Sequence, residues 1–178
     1  MARIKIVEEQ NAEGRVKAVY DQLRSGMGKV PGVMKALSPW PEVLEMYANR
    51  VTVIMFSDTL LTRSVKEMIA ALVSKINSCD YCLTYHKSYL VTAGISSVDA
   101  EAIVGDYSTA PITDAEKKLL TYVEKVTLHA YKTIDGDVEG LKECGWSDNQ
   151  ILEATLVVGL FCDINRWVDA LGFRYEDD

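Results

Sequence analysis

The sequence predicts an all-α fold, and three observations predict it. Apolar residues recur at helical spacing, as in Val16, Val19, Tyr20 and Leu23, which fall at i, i+3, i+4 and i+7. Ser or Thr stands three residues ahead of Glu or Gln, the reciprocal capping box that opens helices, at Ser64/Glu67, Thr113/Glu116 and Ser147/Gln150. No segment alternates apolar and polar residues as a half-buried strand does, and no hairpin dipeptide lies between β-branched runs.

Taken in order, the stripe from Val16 to Leu23 is one apolar face of a first helix, which the Gly- and Pro-containing segment Gly26–Gly32 stops. Pro39-Trp40-Pro41 is a turn before a second helix over 42–56. The capping boxes start helices over 64–76, 114–131 and 148–170. Asn77-Ser78 caps a further helix over 79–93, which Gly94 ends at the position after its last turn. Shorter helices are expected over 97–104 and 137–143. This makes about eight helices in one domain spanning 1–178, with no linker or low-complexity stretch. Leu61-Thr62-x-x-x-Lys66 is echoed by Ile112-Thr113-x-x-x-Lys117, as two helix–turn–helix units obeying the same capping rules would be.

Composition narrows the class of function. The chain has 178 residues, 48% hydrophobic and 25% charged, as expected of a globular protein that holds its fold without disulfides or metal. Lys and Arg number 19 against 26 Asp and Glu, a net charge of −7, and no basic patch is visible. Nucleic acid and anionic membrane surfaces are therefore not expected partners. The N-terminal ten residues are charged from the start and lack the apolar core of a signal peptide. The longest apolar run, near Thr155–Cys162, is far short of the ~20 residues a membrane span needs. The expected location is the cytoplasm. Four cysteines are too few for a disulfide scaffold, and in a reducing compartment a close pair points to redox chemistry or metal.

The close pair is Cys79-Asp80-Tyr81-Cys82, followed by Leu83-Thr84-Tyr85-His86. On an α-helix Cys82 lies about 60° round from Cys79, and His86 about 20°, so all three share one face. A base one turn from a thiol is placed to take its proton, the nucleophile–base arrangement of thiol enzymes. If the helix begins at Cys79, the positive end of its dipole lies beside both sulfurs. Glu67 precedes Cys79 by twelve residues, on the preceding helix. Two antiparallel helices joined at Asn77-Ser78 bring its carboxylate back toward His86. There it would orient the imidazole and accept its proton. Glu67 also has a simpler explanation, as the partner of Ser64 in a capping box.

Glu67-x11-Cys79-x2-Cys82-x3-His86 resembles the core motif of the alkyl hydroperoxidase D-like proteins of the carboxymuconolactone decarboxylase superfamily. Gly28-Lys29-Val30-Pro31, the turn at 39–41, Leu60–Glu67 and Phe161-x-x-x-Asn165-Arg166 are similar to its peroxidase-related branch, so the resemblance covers about residues 10–172. It implies an all-helical AhpD-like fold, a homo-oligomer (trimer or hexamer) and a peroxidase cycle. In that cycle Cys82 attacks the O–O bond of an organic hydroperoxide, and Cys79 resolves the sulfenic acid as a disulfide. His86 is the base and Glu67 its relay partner. A dithiol donor, lipoyl or thioredoxin-like, restores the thiols, and no cofactor is called for. The spacing separately favours Cys82 over Cys79 as nucleophile, because Cys82 is the cysteine one turn from His86. In one departure, Tyr81 stands between the cysteines where the best-known members carry a second His. A phenol, with an ordinary pKa near 10, can donate a hydrogen bond there but is a poor base at neutral pH.

Other assignments are possible. Cys79, Cys82, His86 and Glu67 could hold a metal, but no second Cys/His pair lies at finger spacing, so redox chemistry is preferred. A decarboxylase or other lactone-acting enzyme of the same superfamily is a second candidate, although that branch generally lacks the cysteine pair. A non-enzymatic helical protein with the pair as a redox switch is a third. His129 ends a helix, where a cation suits the dipole. Cys144 and Cys162 read as packing residues, Tyr85 and Tyr89 as pocket or core residues, Asn165-Arg166 as an inter-helix or subunit contact, and Glu176–Asp178 as a solvated end.

Overall fold

The computed structural model describes residues 2–57 and 59–174. Among them it has nine helices, eight of at least seven residues, and no strand. They are α1 (Gly14–Met27), α2 (Gly32–Lys35), α3 (Pro41–Val51), α4 (Arg63–Ile76), α5 (Asp80–Thr92), α6 (Ser97–Asp106), α7 (Asp114–His129), α8 (Asp135–Glu143) and α9 (Asp148–Leu171). The all-α expectation holds. The expected solvated run Glu176–Asp178 lies outside the described residues.

Helix α4 organises the fold. Ten consecutive residues, Val65 to Ser74, are buried, and a helix buried on every side belongs at the centre of a core. Helices α5, α6, α7 and α9 pack around it. Its apolar residues Met68, Ile69, Leu72 and Val73 meet Leu90, Ile103, Leu119, Val123, Val157 and Leu160 from those neighbours. A second apolar cluster joins α1, α2 and α3: the stripe Val16, Val19, Tyr20 and Leu23 closes on Met34, Leu44 and Ala48. The N-terminal segment returns to the far end of the chain. The Arg3 N–H donates to Leu171 O at 2.8 Å, and its guanidinium to the carbonyls of Asp169 and Ala170. Among the described residues no helix is long and apolar enough to cross a membrane.

The capping boxes at Thr113/Glu116 and Ser147/Gln150 form as expected. The one at Ser64 does not. Thr62 is the N-cap of α4, and its hydroxyl accepts from the Val65 N–H. The shift of two residues puts Glu67 in the interior of the helix, where its carboxylate serves other partners. Asn77-Ser78 is likewise not the cap of α5. It is a tight turn with Ser78 at φ 60°, and Cys79 is the N-cap. The Asn77 amide instead donates to Asn165 Oδ1 at 3.0 Å, and Asn165, fully buried, donates to Ser74 Oγ at 3.2 Å. Asn165 is thus an inter-helix contact between α9 and α4.

The helix expected over 42–56 changes character before its end. It is α-helical to Val51 and then makes a π-helical turn over Thr52–Phe56, closed by Ser57 N–H on Thr52 O. Such turns often mark functional sites. Here it carries Met55 and Phe56 toward the site, and the Arg63 guanidinium takes up the Met55 carbonyl. Cys144 was expected to pack but is exposed at the end of α8.

Candidate active site

Helices α4 and α5 fold back on one another about the turn at Asn77-Ser78, so the middle of α4 faces the middle of α5. Glu67 Oε2 lies 2.6 Å from His86 Nδ1, with Glu67 fully buried and His86 8% exposed. A carboxylate on Nδ1 fixes the imidazole orientation and leaves Nε2 for chemistry. The edge of the ring is set further by Phe161 of α9, in a T-shaped contact with centroids 4.3 Å apart. A buried carboxylate needs compensating partners. Arg63, one turn earlier on α4, supplies a second: its Nε and Nη2 both lie 2.6 Å from Glu67 Oε1. The Arg63 guanidinium stacks over Phe56, 4.1 Å from the ring centroid. Sequence reasoning noted Arg63 only inside a motif. Its spacing of four residues from Glu67 is the signal for an intrahelical ion pair.

Beside this charge chain lies a small, partly open pocket with a cavity volume of about 70 Å³. Its walls are apolar, built by residues such as Met34, Val51, Met55, Phe56 and Ile164, and the non-aliphatic groups on it include Cys82, His86, Glu67, Arg63 and three tyrosines. Cys82 lies in the first turn of α5 and lines the pocket, whereas Cys79 is not on its wall and is completely buried. The two sulfurs interact. The Cys79 thiol is pushed well above the ordinary range, first by its hydrogen bond to Cys82, then by burial and by the charge of Cys82. Cys79 is thus the sulfur that stays a thiol. On its other side is Asp169 of α9, whose carboxyl burial pushes up while a hydrogen bond with Cys79 pulls it down.

The structure therefore brings all four residues singled out in the sequence into one region. Glu67 and His86 touch, Cys82 and His86 share the pocket one turn apart, and Cys79 sits beneath Cys82. Among the described residues, no three His, Cys, Asp or Glu side chains are gathered as a metal-binding group. Tyr85 and Tyr89 both line the pocket. Tyr81 packs edge-on to Phe173, and its hydroxyl accepts the Val33 N–H at 3.1 Å, tying α5 to α2. Three residues that shape the site were not selected from the sequence: Arg63, Met55 and Lys29. The Lys29 Nζ lies 2.6 Å from the Tyr85 hydroxyl.

Comparisons with known proteins bear on the family and the fold. Residues 41–125, which contain all four candidate residues, match the model of the carboxymuconolactone decarboxylase family. No curated protein matches the chain in sequence. The fold is similar to that of an uncharacterized peroxidase-related protein with an alkylhydroperoxidase AhpD core from Ralstonia eutropha JMP134 (TM-score 0.90, 23% identity, 97% of this chain and 91% of the other). It is similar to an uncharacterized peroxidase-related protein from Silicibacter sp. TM1040 (TM-score 0.84, 25% identity, 97% and 87%). It is also similar to a cysteine-to-alanine variant of the debrominase Bmp8 in complex with 2,3,4-tribromopyrrole (TM-score 0.83, 14% identity, 97% and 90%). Residues 41–125 are thus similar to the carboxymuconolactone decarboxylase family, and the fold of the described chain is AhpD-like.

Proposed function

We propose that the chain is a thiol peroxidase that reduces organic hydroperoxides through a dithiol–disulfide cycle of Cys82 and Cys79. The observation that carries the reading is the asymmetry of the pair: Cys82 lines an apolar pocket with His86, while Cys79 is held as a buried thiol against it. His86, oriented by Glu67, takes the Cys82 proton. The sulfur then attacks the terminal oxygen of ROOH. The S–O bond forms, the O–O bond breaks, sulfur loses two electrons, and the alkoxide leaves as ROH after gaining a proton. Cys79 attacks the sulfenic acid, giving the Cys79–Cys82 disulfide and water. A dithiol of the lipoyl or thioredoxin class returns two electrons and two protons. The apolar walls favour a substrate with an apolar body. The homo-oligomer that the family resemblance implies would offer cover to Trp40, Met46 and Val53, large apolar side chains exposed on α3 and at either end of it.

The test is stoichiometric. Reduced, metal-free protein receives one equivalent of cumene hydroperoxide at pH 7, is quenched with an alkylating reagent and is mapped by mass spectrometry. Two thiols should be lost and recovered as a Cys79–Cys82 bridge, and Cys82→Ser should abolish the loss. Four alkylated thiols would sink the reading. The same incubation with 2,3,4-tribromopyrrole asks whether a bromoarene, as bound by the debrominase variant, oxidises the pair instead.

A further inference from the structure

Closing the disulfide requires the Cys79 thiol to lose its proton as its sulfur attacks Cys82, because the thiolate, not the thiol, is the nucleophile. That proton has no direct way to water. Cys79 is completely buried and is absent from the wall of the apolar pocket, where His86 stands. His86 is turned to Glu67, Phe161 and Tyr89 instead. In the reduced protein the Cys79 sulfur is hydrogen-bonded to Cys82, and that partner is spent once Cys82 carries oxygen.

On its other side Cys79 is hydrogen-bonded to the carboxylate of Asp169, in the last turn of α9. Asp169 is an exposed residue. It lines a second, polar cleft of about 520 Å³ together with Ser78 and Asp80, the residues on either side of Cys79 in the chain. Its carboxyl thus stands between a buried thiol and solvent. Both ends of this contact are held in place. The Asp169 carbonyl accepts from the Arg3 guanidinium at 3.2 Å and from the Gly172 N–H at 3.1 Å. The Cys79 N–H donates to Ser74 O at 2.9 Å. Arg3 and Arg174 line the cleft as well. Burial, and beyond it the Asp80 charge, push the Asp169 carboxyl above its ordinary range although the bond to Cys79 pulls the other way. A carboxylate so placed is a stronger base than one in water.

We propose that Asp169 is the base of the resolving step, taking the Cys79 proton as the disulfide closes and passing it to solvent through the polar cleft. The proposal rests on the peroxidase reading. The Cys79 sulfur gives an electron pair to the new S–S bond, and the S–O bond of the Cys82 sulfenic acid breaks with its pair on oxygen. Hydroxide leaves into the apolar pocket and takes a proton from solvent, while the proton on Asp169 returns to solvent on the other side. The sum is one thiol and one sulfenic acid giving a disulfide and water, with no further reactant. The cycle then uses two bases, His86 in the apolar pocket for the attack and Asp169 in the polar cleft for the closure.

The test separates these two steps. Reduced protein receives one equivalent of cumene hydroperoxide at pH 7 in the presence of dimedone, which captures sulfenic acid, and samples quenched over time are mapped by mass spectrometry. Wild type should go through to the Cys79–Cys82 bridge. Asp169→Asn should oxidise Cys82 at the wild-type rate, which also shows that the variant is folded. It should close the bridge about 10²-fold more slowly, so that Cys82 is recovered as the dimedone adduct. In Asp169→Ala, added acetate should restore closure in proportion to its concentration. Closure at the wild-type rate in Asp169→Asn, equal slowing of oxidation and closure, or no rescue by acetate would overturn the proposal and leave the peroxidase reading standing. A wild-type protein that forms no bridge would overturn the dithiol cycle, and this proposal with it.

Discussion

The carboxylate of Glu67 and the imidazole of His86 meet at 2.6 Å, across a turn that reverses the chain between two core helices. The pair fixes which imidazole nitrogen faces the pocket and brings into the core a charge that Arg63 and His86 balance. Glu67→Gln keeps the shape and a hydrogen-bond acceptor but removes the charge. It should lower the rate of Cys82 oxidation by about 10²-fold and the stability by about 2 kcal/mol, the scale of a lost charge-assisted hydrogen bond. Stopped-flow oxidation and urea unfolding of the same sample measure both. An unchanged rate would remove Glu67 from the proton path.

Arg63 reaches the proposed chemistry through Glu67 and also lines the pocket. Its two nitrogens on one carboxylate oxygen, its contact with the Met55 carbonyl and its stacking on Phe56 are a planar guanidinium arrangement that lysine cannot copy. Arg63→Lys should therefore behave more like Arg63→Met than like wild type in the pH profile of Cys82 oxidation. A profile in Arg63→Lys that overlays the wild type would show that charge alone suffices.

Much of this was legible from periodicity and spacing. The stripe Val16–Val19–Tyr20–Leu23 is buried as read, and the boxes at Thr113 and Ser147 start their helices. Two of the misses share a cause: short polar residues have several places to go. Ser64 matched the box pattern, but Thr62 two residues earlier took the cap, freeing Glu67 for His86. Asn77 looked like a cap because its partner Asn165, 88 residues away, is invisible to local pattern. At the π-helical turn over Thr52–Phe56 the Met55 carbonyl meets the Arg63 guanidinium, a contact that apolar periodicity does not register. Of the site, the residues on one helix face were readable from spacing, and Arg63 had a local signal in its spacing of four from Glu67. Lys29 becomes visible only once α5 and the turn after α1 converge.

Lys66, next to Glu67, is 1% exposed and anchors Ser57, Thr59 and Glu153. Its ammonium meets Thr59 Oγ1 at 2.6 Å, Glu153 at 3.0 Å and the Ser57 carbonyl at 3.2 Å. Lys66→Met leaves the Glu153 carboxylate without its buried cation, a change that typically costs about 3 kcal/mol or more. Urea unfolding should show that loss. Pairing the change with Glu153→Gln should recover part of it, since the orphaned charge is then gone. A double variant no better than Lys66→Met would locate the cost in packing instead.

The last prediction concerns Cys79 and alkaline pH. In the unfolded chain its thiol titrates near 8.5. In the folded chain the hydrogen bond to Cys82, burial and the charge of Cys82 raise it. Below the unfolded value both states hold the proton, and the contribution of Cys79 to stability is complete. As pH rises past 8.5 the unfolded state loses the proton first, so stability falls, by about 1.4 kcal/mol per pH unit for one thiol. Burial raises Tyr20, Tyr47 and Tyr107 too, but phenols add to the slope only near pH 10 and above. Between pH 8.5 and 10, fully reduced protein should therefore lose stability more steeply than Cys79→Ala, and the two urea-unfolding curves should converge as pH rises. Parallel slopes would mean that Cys79 gives up its proton as readily folded as unfolded. The assignment of attack to Cys82 would then rest on the pocket geometry alone.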